Sequence, residues 1–308
     1  MTVLRVAEEV REALAAGRGV VALETSVVGQ GLPHPRNLEC VERMERAIRA
    51  AGAVPAWTGV DGGRLVVGMD AAALARMATP GVARKVARRD VPPAVAAGVL
   101  GATTVSATLQ AASAVGIAVA ATGGIGGVHR GPERDVSADL LELARTPGLL
   151  VCSGPKSIVD PLATADLLEE LGVPVLGYGV ERMPAFLVRE APVSLAHRVD
   201  GATAAAAVLA AAYATGSPAT VLLCNPVPAS AAMAASEVEA AVAAAEAAAT
   251  AAGVRGPAVT PFLLARLAEA TDGRSLEANL ALLEDNARVA GEVAVAFAAT
   301  GGISAARS

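Results

Sequence analysis

Two amines stand apart in a chain that otherwise carries its positive charge on guanidinium groups: of 25 basic residues, only Lys85 and Lys156 are lysines. Arginine pairs with phosphate or carboxylate at least as well as lysine, but it stays protonated and offers no lone pair. A primary amine with a lowered pKa can attack a carbonyl carbon and form a Schiff base. Lys156 sits in SGPKSIVD, residues 153 to 160. An apolar run and a stiff Gly-Pro pair precede it, and Ser157 and Asp160 follow as caps for the next turn. Solubility explains a lysine there poorly, so its leading role is Schiff-base nucleophile. Lys85 lies among Arg84, Arg88, Arg89 and Asp90. That cluster reads either as the solvated basic face of a helix or as a phosphate site.

Other residues offer complementary chemistry. Glu24 stands in the otherwise apolar VVALETSVV, residues 20 to 28. A buried carboxylate is costly unless it is paired or used, so Glu24 is either salt-bridged to an arginine or a general acid. The run ATGGIGGVHRGPERDVSADL spans residues 121 to 140. Its glycines let backbone approach a ligand, and Ser137 opens a helix whose free N–H groups favour an anion. Ser137 and Asp139 are equally readable as an ordinary N-cap and a first-turn acid. Asp135, with Glu133 nearby, suits a hard octahedral cation such as Mg²⁺ or Mn²⁺ that keeps its waters. His129 either binds phosphate or caps its glycine-rich loop, while His34 and His197 carry no assigned role.

These residues need a scaffold, and helix-like and strand-like segments alternate along the chain. VPAWTGV and RLVVGM flank Asp61-Gly62-Gly63 as a hairpin, and LECVERMERAIRAAG (38 to 52) is an amphipathic helix. GLLVCSG, VPVLGYG and ATVLLCNPV read as strands that alternate with helical SADLLELAR, LATADLLEELG and GATAAAAVLAAAYATG. The pattern predicts a three-layer α/β/α sandwich, with a largely parallel mixed sheet containing one antiparallel pair. No linker or repeat interrupts it, which predicts one domain over residues 1–308. In such folds ligands gather at the carboxyl ends of strands. Glu24 to Ser26, Thr122 to Gly124, Ser153 to Ser157 and Asn225-Pro226 all take that position and are expected to converge on one cleft.

Composition excludes several classes. With a net charge of -5 and 2% aromatic residues, the sequence has neither a basic track nor a stacking platform for nucleic acid. No apolar run is long enough and free enough of charge to cross a bilayer. The N-terminal stretch, with early acids and amphipathic spacing, is not expected to be a signal peptide. Three widely spaced cysteines without a CxxC pair fit a reduced, cytoplasmic setting.

Taken together, VALETSVVGQGLPHPRN, ARKVARRDVP, GATTVSAT, ATGGIGGVHRG, DVSADLLELA, VCSGPKSIVD, GYGVERMPAF, CNPVP, TPFLLARLAE and SLEANLALLEDNA resemble the pseudouridine-5'-phosphate glycosidase, or indigoidine-synthase-A-like, family over nearly the whole chain. The resemblance implies reversible cleavage of the C–C glycosidic bond of pseudouridine 5'-phosphate to uracil and ribose 5-phosphate, with Mn²⁺ or another divalent cation, in a homotrimer. It implies Lys156 as the nucleophile toward C1', Glu24 as the proton donor and Asp135 as the metal ligand. Lys85, Val105, Ser137, Ala138 and Asp139 match substrate contacts, and Thr122, His129 and Asn286 fall in matching segments. The chain departs from the usual family pattern at Thr25-Ser26 and at Gln30-Gly31, where the family has Ser-Thr and His-Gly. Two rival readings are another Schiff-base enzyme acting on a sugar phosphate, such as an aldolase-like lyase, and a sugar-phosphate-binding regulator without catalysis.

Overall fold

A computed structural model describes residues 3–130, 135–254 and 259–306. In chain order the strands are β1 (Leu4–Val6), β2 (Val20–Glu24), β3 (Val54–Asp61), β4 (Arg64–Val67), β5 (Arg84–Val86), β6 (Gly101–Thr103), β7 (Val119–Ala121), β8 (Val128–His129), β9 (Gly148–Cys152), β10 (Val159–Asp160), β11 (Val175–Tyr178), β12 (His197–Val199) and β13 (Thr220–Cys224). The helices are α1 (Glu8–Ala15), α2 (Arg36–Ala50), α3 (Ala71–Ala78), α4 (Val91–Ala96), α5 (Val105–Ala114), α6 (Ala138–Arg145), α7 (Pro161–Glu170), α8 (Ala202–Ala214), α9 (Ala235–Ala251), α10 (Val259–Ala270), α11 (Arg274–Ala299) and α12 (Gly302–Ala306).

The main sheet runs β1-β4-β3-β2-β7-β9-β13-β11-β12. Its central strands read as unbroken apolar runs because both of their faces are covered. In β2, Val21 and Leu23 enter one core while Val20 and Ala22 enter the other. Leu149 and Val151 of β9 alternate with Leu150 and Cys152 in the same way, as do Val221 and Leu223 of β13 with Leu222 and Cys224. The first core takes buried residues from α2, α3, α8 and α11, and the second takes them from α1, α4, α5, α6 and α7. The expected three-layer sandwich is therefore present, with the sheet between two helical layers.

The sheet also forks. The first half of β3 pairs in parallel with β2, and its second half pairs antiparallel with β6 on the edge that β2 has left. Its other edge pairs antiparallel with β4 across the expected hairpin. A threonine cluster fills the fork: Thr25 Oγ1 donates to Thr58 O at 2.6 Å, and Thr103 N donates to Thr25 Oγ1 at 2.9 Å. Buried hydroxyls satisfy backbone groups there that a continuous ladder would otherwise have paired.

The structure corrects two expectations. The sequence pattern predicts one antiparallel pair, whereas β3 makes two and β8 with β10 forms a separate antiparallel ribbon. The additional pairings involve strands of two or three residues, too short to show an alternating pattern. The segment around Lys85 is likewise not a helix face: Arg84–Val86 is β5, pairing in parallel with β6, and a 3₁₀ turn follows at Arg88–Asp90. Burial of Val86 fixes that strand despite its charged neighbours.

Candidate active site

A cleft of about 290 Å³ opens at the carboxyl ends of β2 and β7. Glu24 ends β2 and is 4% exposed. One carboxylate oxygen accepts a hydrogen bond from Thr122, just past the neighbouring strand β7, and the other accepts one from Ser26 at 2.8 Å. Its buried partners are therefore hydroxyls, which orient a carboxyl group without neutralising it.

Lys156 lies on the turn after β9 and lines the same cleft. Its backbone N–H donates to Ile125 O at 3.0 Å, and Ile125 N–H donates to Gly154 O at 3.1 Å, so the lysine turn is stapled to the glycine-rich loop. Gly154 has φ +76°, and a Cβ there would fall 1.9 Å from Pro184 O. Asp160 caps α7 as expected, accepting from Leu162 N and Ala163 N. Phe186 forms another wall, with φ +62°, a strained conformation for an aromatic residue. Its N–H donates to Ser153 O at 2.7 Å, and its ring lies so close to Gly124 that a Cβ would sit 2.7 Å from Phe186 Cδ2.

The cationic part of the cleft carries Lys85, Arg89 and His129 beside the N-terminus of α6. Arg88 pairs with buried Glu142 of α6, anchoring the segment that bears Lys85 and Arg89. Lys85 is open to the cleft, yet crowding by protein atoms, followed by the charge of Lys156, pushes its pKa below the ordinary lysine value. Burial pushes His129 below the ordinary histidine value; Asp135 opposes this, while Lys85 and Lys156 reinforce it. Asp139 uses both carboxylate oxygens on backbone, accepting from Ser106 N at 3.1 Å and Gly126 N at 3.0 Å. Ser137 Oγ accepts from Asp139 N at 3.2 Å, the N-cap contact. Ser137, Ala138 and Asp139 all line the cleft.

A doubly charged phosphate beside His129 would favour imidazolium, so its bound-state pKa would lie above its depressed free value. Between those two values, binding takes up protons. Calorimetry with ribose 5-phosphate, in buffers of different ionisation enthalpy, is expected to show a proton balance shifted further towards uptake in wild type than in His129→Asn, because the phosphate's own titration, with a second pKa of about 6, is common to both. The same proton balance in the two proteins would remove His129 from the anion site.

The structure does not bring every expected residue to the cleft. Val105 is buried as the first residue of α5, one position beyond the cleft-lining Thr104. Asn286, on α11, is fully buried behind the strand ends. Its Nδ2 donates to Thr122 O at 2.9 Å and Ser153 Oγ at 3.1 Å, and its Oδ1 accepts from Asn225 Nδ2 at 3.0 Å. It clamps the segments leaving β7, β9 and β13, and Asn225 joins the site only through this clamp. Asn279 and Leu283 of α11 line the cleft instead. Sequence reasoning names Arg89 only as part of the charge cluster around Lys85 and Gln30 only as a departure from the family pattern, and it does not pick out Phe186 or Asn279; scarcity of aromatic residues is the one signal that marks Phe186.

Among the described residues, no three His, Cys, Asp or Glu side chains converge as a ready-made metal cage. Asp135 is exposed and lines the cleft, and Asp139 is committed to backbone. Glu133 lies outside the described residues. One open carboxylate plus water fits a hard cation completed by substrate oxygens, and does not fit structural zinc. No helix among the described residues is long and apolar enough to cross a membrane.

The sequence and the fold both match known proteins. Residues 9–296 match the family described as indigoidine synthase A like protein. A pseudouridine-5'-phosphate glycosidase of Chloroflexus aurantiacus is 50% identical, over 97% of this chain and 100% of its own. One from Myxococcus xanthus is 49% identical, over 96% and 98%. Among solved structures, a prealnumycin C-glycosynthase in complex with ribulose 5-phosphate superposes with a TM-score of 0.89 at 42% identity, covering 98% of this chain and 99% of that one. An indigoidine synthase A-like protein from Thermotoga maritima gives 0.87 at 37% identity, covering 96% and 97%.

Proposed function

The chain belongs to the indigoidine synthase A-like family, and on that premise we propose that it reversibly cleaves pseudouridine 5'-phosphate to uracil and ribose 5-phosphate through a Schiff base on Lys156. The observation that carries the reading is that both lysines of the chain face one cleft with buried Glu24 and the start of α6. Relatives named for this activity, matched over nearly their whole length, support it.

The leaving atom of the substrate is a ring carbon, so water has no simple route to displace it. In the proposed sequence Glu24, held by Ser26 and Thr122, gives its proton to the ribose ring oxygen as the C1'–O4' bond opens. The Lys156 amine adds to C1'. Uracil C5 is then protonated and the C1'–C5 bond breaks, while the nitrogen lone pair forms the imine. Water adds to C1' and releases the amine and the aldehyde of ribose 5-phosphate. Lys85, Arg89, His129 and the positive N-terminal end of α6 bind the phosphate and keep it from drifting during ring opening. Asp135 would hold Mn²⁺, which when bound supplies positive charge to substrate oxygens.

Purified protein incubated with pseudouridine 5'-phosphate and Mn²⁺ is expected to release uracil, read by chromatography. Metal chelation should cut the rate at least about tenfold, with recovery on adding Mn²⁺ back. No uracil under metal-replete conditions would overturn the assignment.

A further inference from the structure

An acid and an amine that act on one sugar carbon need a fixed separation, yet Glu24 ends β2 and Lys156 follows β9, with β7 between them. The fully buried Asn286 of α11 reaches the supports of both. Its Nδ2 donates to Thr122 O at 2.9 Å and Gly123 O at 3.3 Å on one side, and to Ser153 Oγ at 3.1 Å on the other. Thr122 is the residue whose hydroxyl donates to the Glu24 carboxylate. Ser153 begins the turn that carries Lys156. The amide sits where the strand ladders end, at Ala121 with Val151 and at Cys152 with Cys224. Its polarity is fixed from both sides. Backbone carbonyls only accept, so nitrogen must face Thr122 and Gly123. Oδ1 then accepts from Asn225 Nδ2 at 3.0 Å, and the same nitrogen donates to the Asp285 carboxylate at 2.8 Å. The phosphate end of the cleft hangs on other elements: Lys85 on β5, Arg89 on the 3₁₀ turn after it, and Ser137 at the start of α6. Among the described residues, no hydrogen bond of Asn286 reaches them.

We propose that Asn286 is a positioning residue for the reaction: by bonding Thr122 and Ser153 through one amide, it sets the spacing between the Glu24 carboxyl and the Lys156 amine. This rests on the Schiff-base reading above. Asn286 touches neither reacting group; it acts on the acid through Thr122 and on the amine through the turn from Ser153. Without it the two supports lose their common tie, and a displacement of about 1 Å between reacting groups costs about 10²-fold in rate. The phosphate contacts stay in place, because β5 and α6 carry them. The signature of the role is therefore a fall in kcat without a matching rise in KM, whereas loss of a phosphate contact raises KM.

The test compares full-length wild type, Asn286→Ala, Ser153→Ala and the double variant, each assayed well below its own unfolding midpoint. A merely structural role lowers that midpoint and leaves kcat alone. Asn286→Ala is expected to lower kcat for uracil release about 10²-fold, with KM for pseudouridine 5'-phosphate within about threefold of wild type. Ser153→Ala removes one hydroxyl and leaves Asn286 bonded to Thr122 O and Gly123 O, so its kcat should fall less, by about three- to tenfold. The double variant should match Asn286→Ala within about twofold, because the hydroxyl acts through the amide. Trapping of ribose 5-phosphate on Lys156 by cyanoborohydride should slow in the same order, a readout that needs no nucleobase. Wild-type kcat and trapping in Asn286→Ala would overturn the inference, as would a loss carried by KM or additive losses in the double variant. If Asn286→Ala yields no folded protein, Ser153→Ala decides: a lowered kcat at unchanged KM sustains the inference, and a wild-type kcat overturns it. Wild type that traps ribose 5-phosphate but releases no uracil would overturn the glycosidase reading alone, and the trapping rates would then decide this inference. Wild type that does neither would overturn both.

Discussion

Lys156→Arg is expected to keep its fold and lose at least about 10⁴-fold in turnover, the scale on which removal of an enzyme's covalent nucleophile is felt. The fold should survive because the lysine side chain is only half-buried, and its anchor to Ile125 is made by backbone. Arginine preserves charge and reach, so a purely electrostatic role for Lys156 would leave substantial activity. The proposed role requires a lone pair on nitrogen, which guanidinium does not present at neutral pH. A second readout separates the two. Wild type treated with ribose 5-phosphate and cyanoborohydride should gain one reduced adduct on Lys156, located by peptide mass mapping, and the arginine variant should gain none there. Near-normal uracil release by Lys156→Arg would refute the nucleophile assignment whatever the trapping shows.

Gly154→Ala is expected to be the most damaging single-methyl change near the site. Two penalties coincide: φ +76° is unfavourable for any L side chain by about 1–2 kcal/mol, and the new Cβ would collide with Pro184 O at 1.9 Å. Neither obstacle is the end of a flexible side chain, so relief requires moving backbone, and overpacking of that kind adds about 1–3 kcal/mol. Denaturant unfolding should therefore show a loss of more than about 2 kcal/mol, or no soluble protein. Because Ile125 N–H donates to Gly154 O and Lys156 N–H donates to Ile125 O, the variant that does fold should also have a misplaced amine and reduced kcat. Wild-type stability and kcat together would show that this turn is more compliant than its contacts indicate.

The residues of the candidate site were legible where residue type is scarce and diagnostic. Lys156 stood out because arginine had taken nearly every other positive charge, and Glu24 because an acid interrupted an apolar strand. The sandwich was legible for a similar reason: β2, β9 and β13 are too apolar to have one wet face, and only a sheet covered on both sides accommodates three such strands. What stayed hidden depends on rotation and long-range pairing. On α11, Asn279 and Asn286 are both plausible ligand contacts by type, but the helix turns Asn279 to the cleft and buries Asn286 behind three strand ends. The sequence around Lys85 is dominated by charge, and only its pairing with β6 makes it a strand. Phe186 owes its place to a positive φ and to its backbone bond with Ser153, which no local pattern announces.

The confinement of both lysines to the cleft also bears on chemical self-damage. An aldose phosphate condenses slowly with any accessible side-chain amine, and the resulting adducts rearrange irreversibly. A protein that repeatedly generates such an aldehyde at its own surface is a principal target of it. Here the outer surface presents guanidinium groups, which do not form imines with simple aldoses, so no lysine outside the cleft is available for glycation. Under the proposed reaction, the scarcity that singles out the nucleophile also shields the rest of the molecule from its product.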